Sequence, residues 1–404
     1  MRCCLSAALA VACSLRLPAA VIGASTPAPP LTAERIAELP ANQRAAWQAY
    51  LDRSMRQMQA DRAALAAELK RAGRTQALVP PSGGAARSVP LDRPVEWYGG
   101  PDARRIADIV VSFQTPAGGW SKNLNLADHV RRPGEHFAPN NLSRFPTPGD
   151  FDAPRDPEWS YVGTLDNDAT NTQLRFLAKV ATAIGGEAAG PYRAAVLRGL
   201  DYLFAAQYPN GGWPQVWPLQ GGYHDAITIN DGAMTQTLEV LRDVAAGKPP
   251  FAFVDERLRK RAQATVAKGI ACLLECQIVA NGRCTVWGQQ HDMLTLEPVA
   301  ARNYEPAAQS SSESAGVLLL LMSLPKPDKR EIEAVRAGVA WLQKTALNDK
   351  AYSRGPDGRR LVDAPGVGPI WARYYAIGTD RPEFGDRDKS IHDTVDEISR
   401  ERRD

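Results

Sequence analysis

The chain has 404 residues, and its 48 basic and 45 acidic side chains leave a formal charge of +3. So close a balance, without long runs of one sign, excludes a nucleic-acid surface built on clustered positive charge. The length is enough to bury one large core with or without a small companion unit, and nine Trp and eleven Tyr suit a sugar-stacking surface and an ordinary core equally well.

Met1-Arg2, an apolar stretch from Leu5 to Leu15 and small residues at Ala19-Ala20 and Gly23-Ala24-Ser25 predict a secretory leader over 1–24. It is too short to span a bilayer, and cleavage falls near Ala20 or near Ala24. Ala-Val-Ala before Cys13 also reads as an imperfect lipoprotein box. No later apolar run is long enough for a membrane span, so the expected product is secreted or periplasmic and has no membrane partner. Cys3, Cys4 and Cys13 lie in the leader. Cys272, Cys276 and Cys284 remain, with a Cys276–Cys284 bridge feasible across the intervening turn and a metal site unsupported by ligand spacing.

Residues 25–96 read as an N-terminal helical segment and linker. Thr32 is a natural N-cap, Pro40 divides a short helix from a long one ending near 74, and Pro80-Pro81, Gly83-Gly84 and Pro90 mark a loop. The main body, 97–404, carries an irregular repeat. Amphipathic stretches Asp102–Gln114, Pro191–Gln207 and Val266–Gln277 each end in Gln and lead to Gly118-Gly119-Trp120, Gly211-Gly212-Trp213, and Gly282 followed by Trp287. Val335–Gln343 is a fourth such stretch without the Trp turn. Between them lie further helices at Ala169–Ile184, Gly232–Ala246 and Ser314–Leu324. Helix pairs recurring every about 70 to 90 residues predict an all-α toroid of antiparallel pairs. The long connections 121–166 and 348–386 would overhang its cleft.

Four constellations carry polar chemistry. Thr164-Leu165-Asp166-Asn167-Asp168 and Tyr223-His224-Asp225 through Asn230-Asp231-Gly232 both precede helices. Their acids either cap those helices or, opening onto one rim, jointly hold a hard cation through oxygen ligands. His224 reads as a structural hydrogen-bonder. Trp287 to Asp292 offers His291 as a conceivable general base, and Arg302-Asn303-Tyr304-Glu305 reads on its face as an ion pair between Arg302 and Glu305. Finally Trp371-Ala372-Arg373-Tyr374 and Asp386-Arg387-Asp388 present guanidinium groups, of which Arg373, flanked by aromatics, best suits a carboxylate.

Taken in order, Gly118-Gly119-Trp120-Ser121-Lys122-Asn123, Thr164-Leu165-Asp166-Asn167, Tyr208-Pro209-Asn210-Gly211-Gly212-Trp213-Pro214-Gln215, the His224–Asp231 segment, Arg302-Asn303-Tyr304-Glu305 and Trp371-Ala372-Arg373-Tyr374 resemble the family 10 polysaccharide lyases that act as pectate lyases. The resemblance runs from about residue 97 to the end and includes the spacing between motifs. It implies an (α/α) toroid, calcium as cofactor, and β-elimination of α-1,4-polygalacturonate to 4,5-unsaturated products. It further implies Asp166, Asn167 and Asp231 as calcium ligands, Arg302 as the base that takes the C5 proton, and Arg373, Arg387 and Lys122 as substrate contacts. The protein is expected to act as a monomer. Residues 31–74 lie outside the resemblance, and the chain ends at Asp404 where the family pattern carries a few more aromatic residues. A glycoside hydrolase on the same toroid, using Asp166 and Asp231 as acid and base on a uronic-acid polymer, is the alternative. A triterpene-cyclase-like toroid and a non-catalytic pectin-binding protein are more distant ones.

Overall fold

The repeat becomes legible at atomic level in the computed structural model, which describes residues 21–83, 89–143, 149–356 and 358–403. Residues 1–20 of the expected leader, with Cys3, Cys4 and Cys13, lie outside the described residues. In chain order the elements begin with β1 (Val21–Ala24), α1 (Ala33–Ala37), α2 (Ala41–Arg71), α3 (Pro101–Ser112), α4 (Asn171–Ile184), α5 (Gly190–Ala206), β2 (Ile227–Thr228), α6 (Ala233–Ala246) and α7 (Glu256–Glu275). There follow β3 (Val279–Ala280), β4 (Arg283–Cys284), β5 (Gln290–His291), β6 (Gln309–Ser310), α8 (Ser311–Met322) and α9 (Lys329–Thr345). The last elements are β7 (Lys350–Gly355), β8 (Gly358–Asp363), β9 (Tyr374–Tyr375), β10 (Pro382–Gly385), β11 (Ser390–His392) and α10 (Arg400–Arg403).

Helices α4, α6 and α8 stand side by side, and α3, α5, α7 and α9 pack around them, so that the fold is an (α/α) toroid of antiparallel pairs. The outer helices are one-faced. In α9 the buried residues Ala334, Gly338, Trp341 and Thr345 follow helical spacing, and a capping box between Asp328 and Glu331 satisfies its first turn.

Each repeat is held by the same two polar contacts. Trp120, Trp213 and Trp287 are fully buried, and their indole N–H groups donate to Val110 O, Leu203 O and Leu273 O near the end of the preceding outer helix, at 2.7, 2.8 and 2.6 Å. The Gln side chains Gln114, Gln207 and Gln277 each donate to their own turn and to the next outer helix, at Ala195 O, Thr265 O and Ala334 O. A buried Trp or Gln needs such partners, which is why the pattern recurs. Gly118 and Gly211 turn at φ 104° and 99°, and a Cβ on either would lie 2.3 Å from a carbonyl oxygen of the next outer helix. No side chain fits there.

The Trp carbonyls then position the inner helices. Thr164 N donates to Trp120 O, Thr228 N to Trp213 O and Ser310 N to Trp287 O, at 2.9, 3.0 and 2.8 Å. Three excursions therefore leave the ring on one rim and return to it directly before α4, α6 and α8.

The 348–386 connection, expected as a loop, is largely built from strands. β7 and β8 form a hairpin, and β1, β11, β10, β9 and β6 line up in that order as an antiparallel sheet. Its strands are two to four residues long, too short for their alternation to be legible in a sequence. Ser310 pairs with Tyr374, which brings Arg373 to the start of α8.

The N-terminal segment shares the core of the body. Trp47 and Tyr50 of α2 pack on Tyr208, the Tyr50 and Tyr208 rings lying 4.7 Å apart, and Tyr50 OH donates to Ala206 O at 2.9 Å. Thr32 caps α1 as expected, accepting from Arg35 N at 3.3 Å.

The feasible Cys276–Cys284 bridge is not formed. Cys272, Cys276 and Cys284 are all free, because Cys276 turns into the core beside Cys272, one helical turn earlier, whereas Cys284 is exposed on β4.

Candidate catalytic site at the helix starts

Asp166 and Asp231 lie in the entry turns of successive inner helices, Asp166 opening the turn before α4 and Asp231 second in the turn before α6, and the backbone there is unusual. Asn167, Asp168, Thr170 and Asp231 all have positive φ, at 52°, 63°, 64° and 51°. For β-branched Thr170 this is a costly conformation, of about 1–3 kcal/mol, of a kind that clusters at functional sites. Thr170 is held in it by hydrogen bonds with Thr164 O and Trp120 N.

The two carboxyls are shifted in opposite directions. Asp166 is 1% exposed, and its Oδ2 lies 2.5 Å from Lys122 Nζ, itself buried with its ammonium 3.4 Å from the Tyr161 ring centroid. Burial alone would raise the Asp166 pKa, but Lys122 and Arg302 outweigh it and hold the carboxylate below its ordinary range. Asp231 goes the other way: burial first, and then the charge of Asp166, raise its pKa. The second oxygen of Asp166, Oδ1, is buried without a hydrogen-bond donor among the described residues.

A cleft of about 430 Å³ opens over this rim, lined among others by Asn167, Asp168, Asp231, Glu313 and Arg373. Two carboxylates and the Asn167 amide are oxygen donors of the type a hard divalent cation takes, and an orphaned buried carboxylate oxygen beside a like-charged neighbour fits such an ion. Among the described residues there is no cluster of three or more His, Cys, Asp or Glu that could hold a metal. Any cation here would therefore rely on the amide, main-chain oxygens or water for its remaining ligands.

Arg302 comes from the third excursion, in a tight turn where Glu305 N donates to Arg302 O. The ion pair suggested by the sequence is not what forms: Glu305 accepts the backbone N–H of Arg302 at 3.0 Å, and the guanidinium turns elsewhere. Its Nη1 donates to Tyr304 OH at 3.0 Å, and its Nε lies 3.8 Å from Asp152 Oδ2. Nη2 has no hydrogen-bond partner among the described residues. Burial works against the charge of Arg302, but it is outweighed, foremost by the Glu305 carboxylate, so the pKa of the guanidinium is raised.

Of the expected substrate contacts, Arg373 lines the cleft. It is 40% exposed, and its Nη2 donates to Asn230 Oδ1 and Glu313 Oε1, both at 2.6 Å. Arg387 lies over the Tyr304 ring, 5.0 Å from its centroid, with its fork taken by Glu401 at 2.6 and 2.8 Å. Lys122 is not presented to solvent at all, because Asp166 draws it inward.

His291 is not available as a base. It is fully buried between Gly288 N and Leu296 O, and burial lowers its pKa to about 4. His224, stacked on Tyr223, is likewise buried and lowered to about 4.

The structure adds residues that motif reading passed over. Glu313 stands three after Ser310, the spacing of a capping box, which disguises its pairing with Arg373. Asp152, Tyr161 and Tyr223 meet at Arg302 from two other excursions; Tyr223 opens the second acidic motif, but nothing in the local sequence of the three marks that meeting.

The family model described as pectic acid lyase matches residues 114–404. Among solved structures, a mutant of the family 10 polysaccharide lyase from Cellvibrio cellulosa in complex with trigalaturonic acid is 34% identical, with a TM-score of 0.64. The alignment covers 80% of this chain and 93% of that one. A second structure of the family 10 lyase from Cellvibrio cellulosa is 33% identical, with a TM-score of 0.63 over 80% of this chain and 92% of that one. No curated protein matches the chain.

Proposed function

The chain belongs to the pectic acid lyases of polysaccharide lyase family 10, and on that premise we propose that it cleaves α-1,4-polygalacturonate by calcium-assisted β-elimination with Arg302 as the base. The observation that carries this reading is the placing of Arg302: Nη1 donates to Tyr304 OH, Nε faces the Asp152 carboxylate at 3.8 Å, Nη2 makes no hydrogen bond among the described residues, and the charge of the group reaches both Asp166 and Asp231. The chemistry asks for such an arrangement. The C5 hydrogen is α to a carboxylate and weakly acidic. Its removal to Arg302 in the neutral guanidine form leaves an electron pair that forms the C4–C5 double bond as the C4–O bond breaks, and the departing oxygen takes up a proton from water. Arg373 is suited to grip a substrate carboxylate bidentately and so hold the reacting ring in place. Arg387 would do the same on the far side of Tyr304 once it exchanges Glu401 for substrate.

Asp166, Asp231 and Asn167 would hold the calcium ion. Bound there, it would supply positive charge to the substrate carboxylate as negative charge builds on C5. That charge would also oppose protonation of Arg302, against the Glu305 carboxylate that favours it. Lys122 is read as the partner that keeps Asp166 ionised, with substrate contact secondary.

Secretion follows from the leader, and the fold bears on where the leader ends. Val21–Ala24 forms β1 and pairs with β11. Removal after Ala20 keeps that strand in the mature protein, whereas removal after Ala24 deletes it, so Ala20 is the proposed site. No helix of the described residues is long and apolar enough to cross a membrane.

The test is the product. Polygalacturonate treated with the enzyme should yield an unsaturated uronide absorbing in the ultraviolet, and chelation should abolish the signal. Reducing ends without absorbance would replace the lyase by the hydrolase alternative, and full turnover after exhaustive chelation would remove calcium from the reading.

A further inference from the structure

We propose that Asp152 is the positioning residue of Arg302, an inference that rests on reading Arg302 as the base. Asp152 sits in the long first excursion and meets Arg302, from the third, through its Oδ2 at 3.8 Å from Nε. Its other oxygen, Oδ1, accepts from two phenols at once: Tyr161 OH, at 3.3 Å, and Tyr223 OH. Those phenols lie 2.9 Å from each other, and both rings are about 2% exposed. Burial is the main cause that raises both phenol pKa values, Tyr161 to about 12, and the Asp152 charge adds to it, so each remains an O–H donor at working pH. The carboxylate is thus fixed by groups from the first and second repeats before it reaches the third.

The loop itself is tied down next to its target. Phe151 N donates to Asn303 Oδ1 at 3.0 Å, one residue from Arg302 on one side and from Asp152 on the other. Tyr161 also stacks under Lys122, the partner of Asp166, so one aromatic ring links the base assembly to the cation rim.

The arrangement assigns a separate task to each guanidinium nitrogen. Asp152 draws Nε, Tyr304 OH takes Nη1, and Nη2 is what remains for the C5 proton. Without Asp152, Nη1 is the single remaining anchor, and the planar group can swing about it. A reacting nitrogen displaced by about 1 Å can cost about 10²-fold in rate. Substrate binding, which falls to Arg373 and its neighbours, has no reason to change.

Asp152→Asn is the informative variant, because it keeps an oxygen acceptor for the tyrosines and removes the charge that draws Arg302. Its kcat should fall about 10–100-fold, with KM and the affinity for trigalacturonic acid by calorimetry within about threefold of wild type. Asp152→Glu should recover part of the loss. A kcat within about threefold of wild type, or a loss confined to KM, overturns the proposal. If the Asn variant folds poorly, Tyr223→Phe provides the second probe: it leaves the carboxylate in place but frees it on one side. A smaller fall in kcat at constant KM supports the positioning role, and wild-type kcat contradicts it. Arg302→Lys measured in parallel separates the two levels. If that variant keeps more than about a tenth of wild-type kcat, the base reading itself fails. If it is inactive while Asp152→Asn turns over normally, only the inference about Asp152 falls.

Discussion

The three Trp turns and the three helix starts they lead to have diverged in opposite degree. At the turns, each repeat has the same Trp donating to the same part of its outer helix and the same Gln reaching the next one. At the helix starts, the first repeat presents an ionised Asp166 on Lys122, the second a raised Asp231 in a left-handed turn, and the third Ser310 with Glu313 turned to Arg373. Contacts that recur in every repeat are those that close the ring. Positions that differ between repeats are those that, under the proposed function, would meet a single asymmetric substrate with a different task for each start. Stability and activity should therefore separate along this line.

The largest separation is expected at Arg302. Arg302→Lys keeps the positive charge but not the reach of Nη2, and kcat should fall about 10²–10⁴-fold, with the melting temperature little changed. Steady-state kinetics beside a thermal melt check both halves. In the opposite sense, Trp213→Ala should cost about 3–5 kcal/mol of stability in denaturant titration. It leaves a cavity and strands Leu203 O, while the fraction that remains folded should keep its KM.

A third probe lies in the second excursion. Asp225 is buried, accepting from Leu31 N at 3.0 Å and Gly221 N at 2.8 Å, and burial raises its pKa to about 6. The folded chain therefore holds this proton to higher pH than the unfolded chain does, whose value is the ordinary 3.8. Between those values the native state binds more protons, so this contribution to stability is fullest below about pH 4 and is lost as pH rises through 6. Over that window wild type should lose up to about 3 kcal/mol relative to Asp225→Asn, read from denaturant midpoints at pH 4, 5, 6 and 7. A flat difference would mean that the carboxyl is ionised throughout.

The smallest effect is at the Gln staples. Gln207→Ala leaves Gly211 O without its side-chain donor and takes the second donor from Thr265 O, and should cost about 1–3 kcal/mol with no change in kcat. A drop in kcat there would show that the ring and the site are not separable after all.

Much of this architecture was legible in the amino-acid order. Helix periodicity, the Gln and Gly-Trp punctuation and the Thr32 cap are local signals, since each depends on residues a few positions apart. Asp166, Asp231 and Arg373 could also be singled out, because acids before a helix and an Arg among aromatics carry their chemistry in their neighbours. The short strands could not, since a two-residue strand exists only through its partner. The pairing of Ser310 with Tyr374, which sets Arg373 against Glu313, is of that kind. So is the environment of Arg302: the sequence offers Glu305 three residues away, while the folded chain supplies Asp152, 150 positions earlier, and Tyr223 from a different repeat. The opposite pKa shifts of Asp166 and Asp231 were beyond reach for the same reason. Sequence by itself determined which residue types each repeat brings to the rim. Only the tertiary structure decided which of them meet, because Coulomb and hydrogen-bond forces act over a few ångströms of space and take no account of separation along the chain.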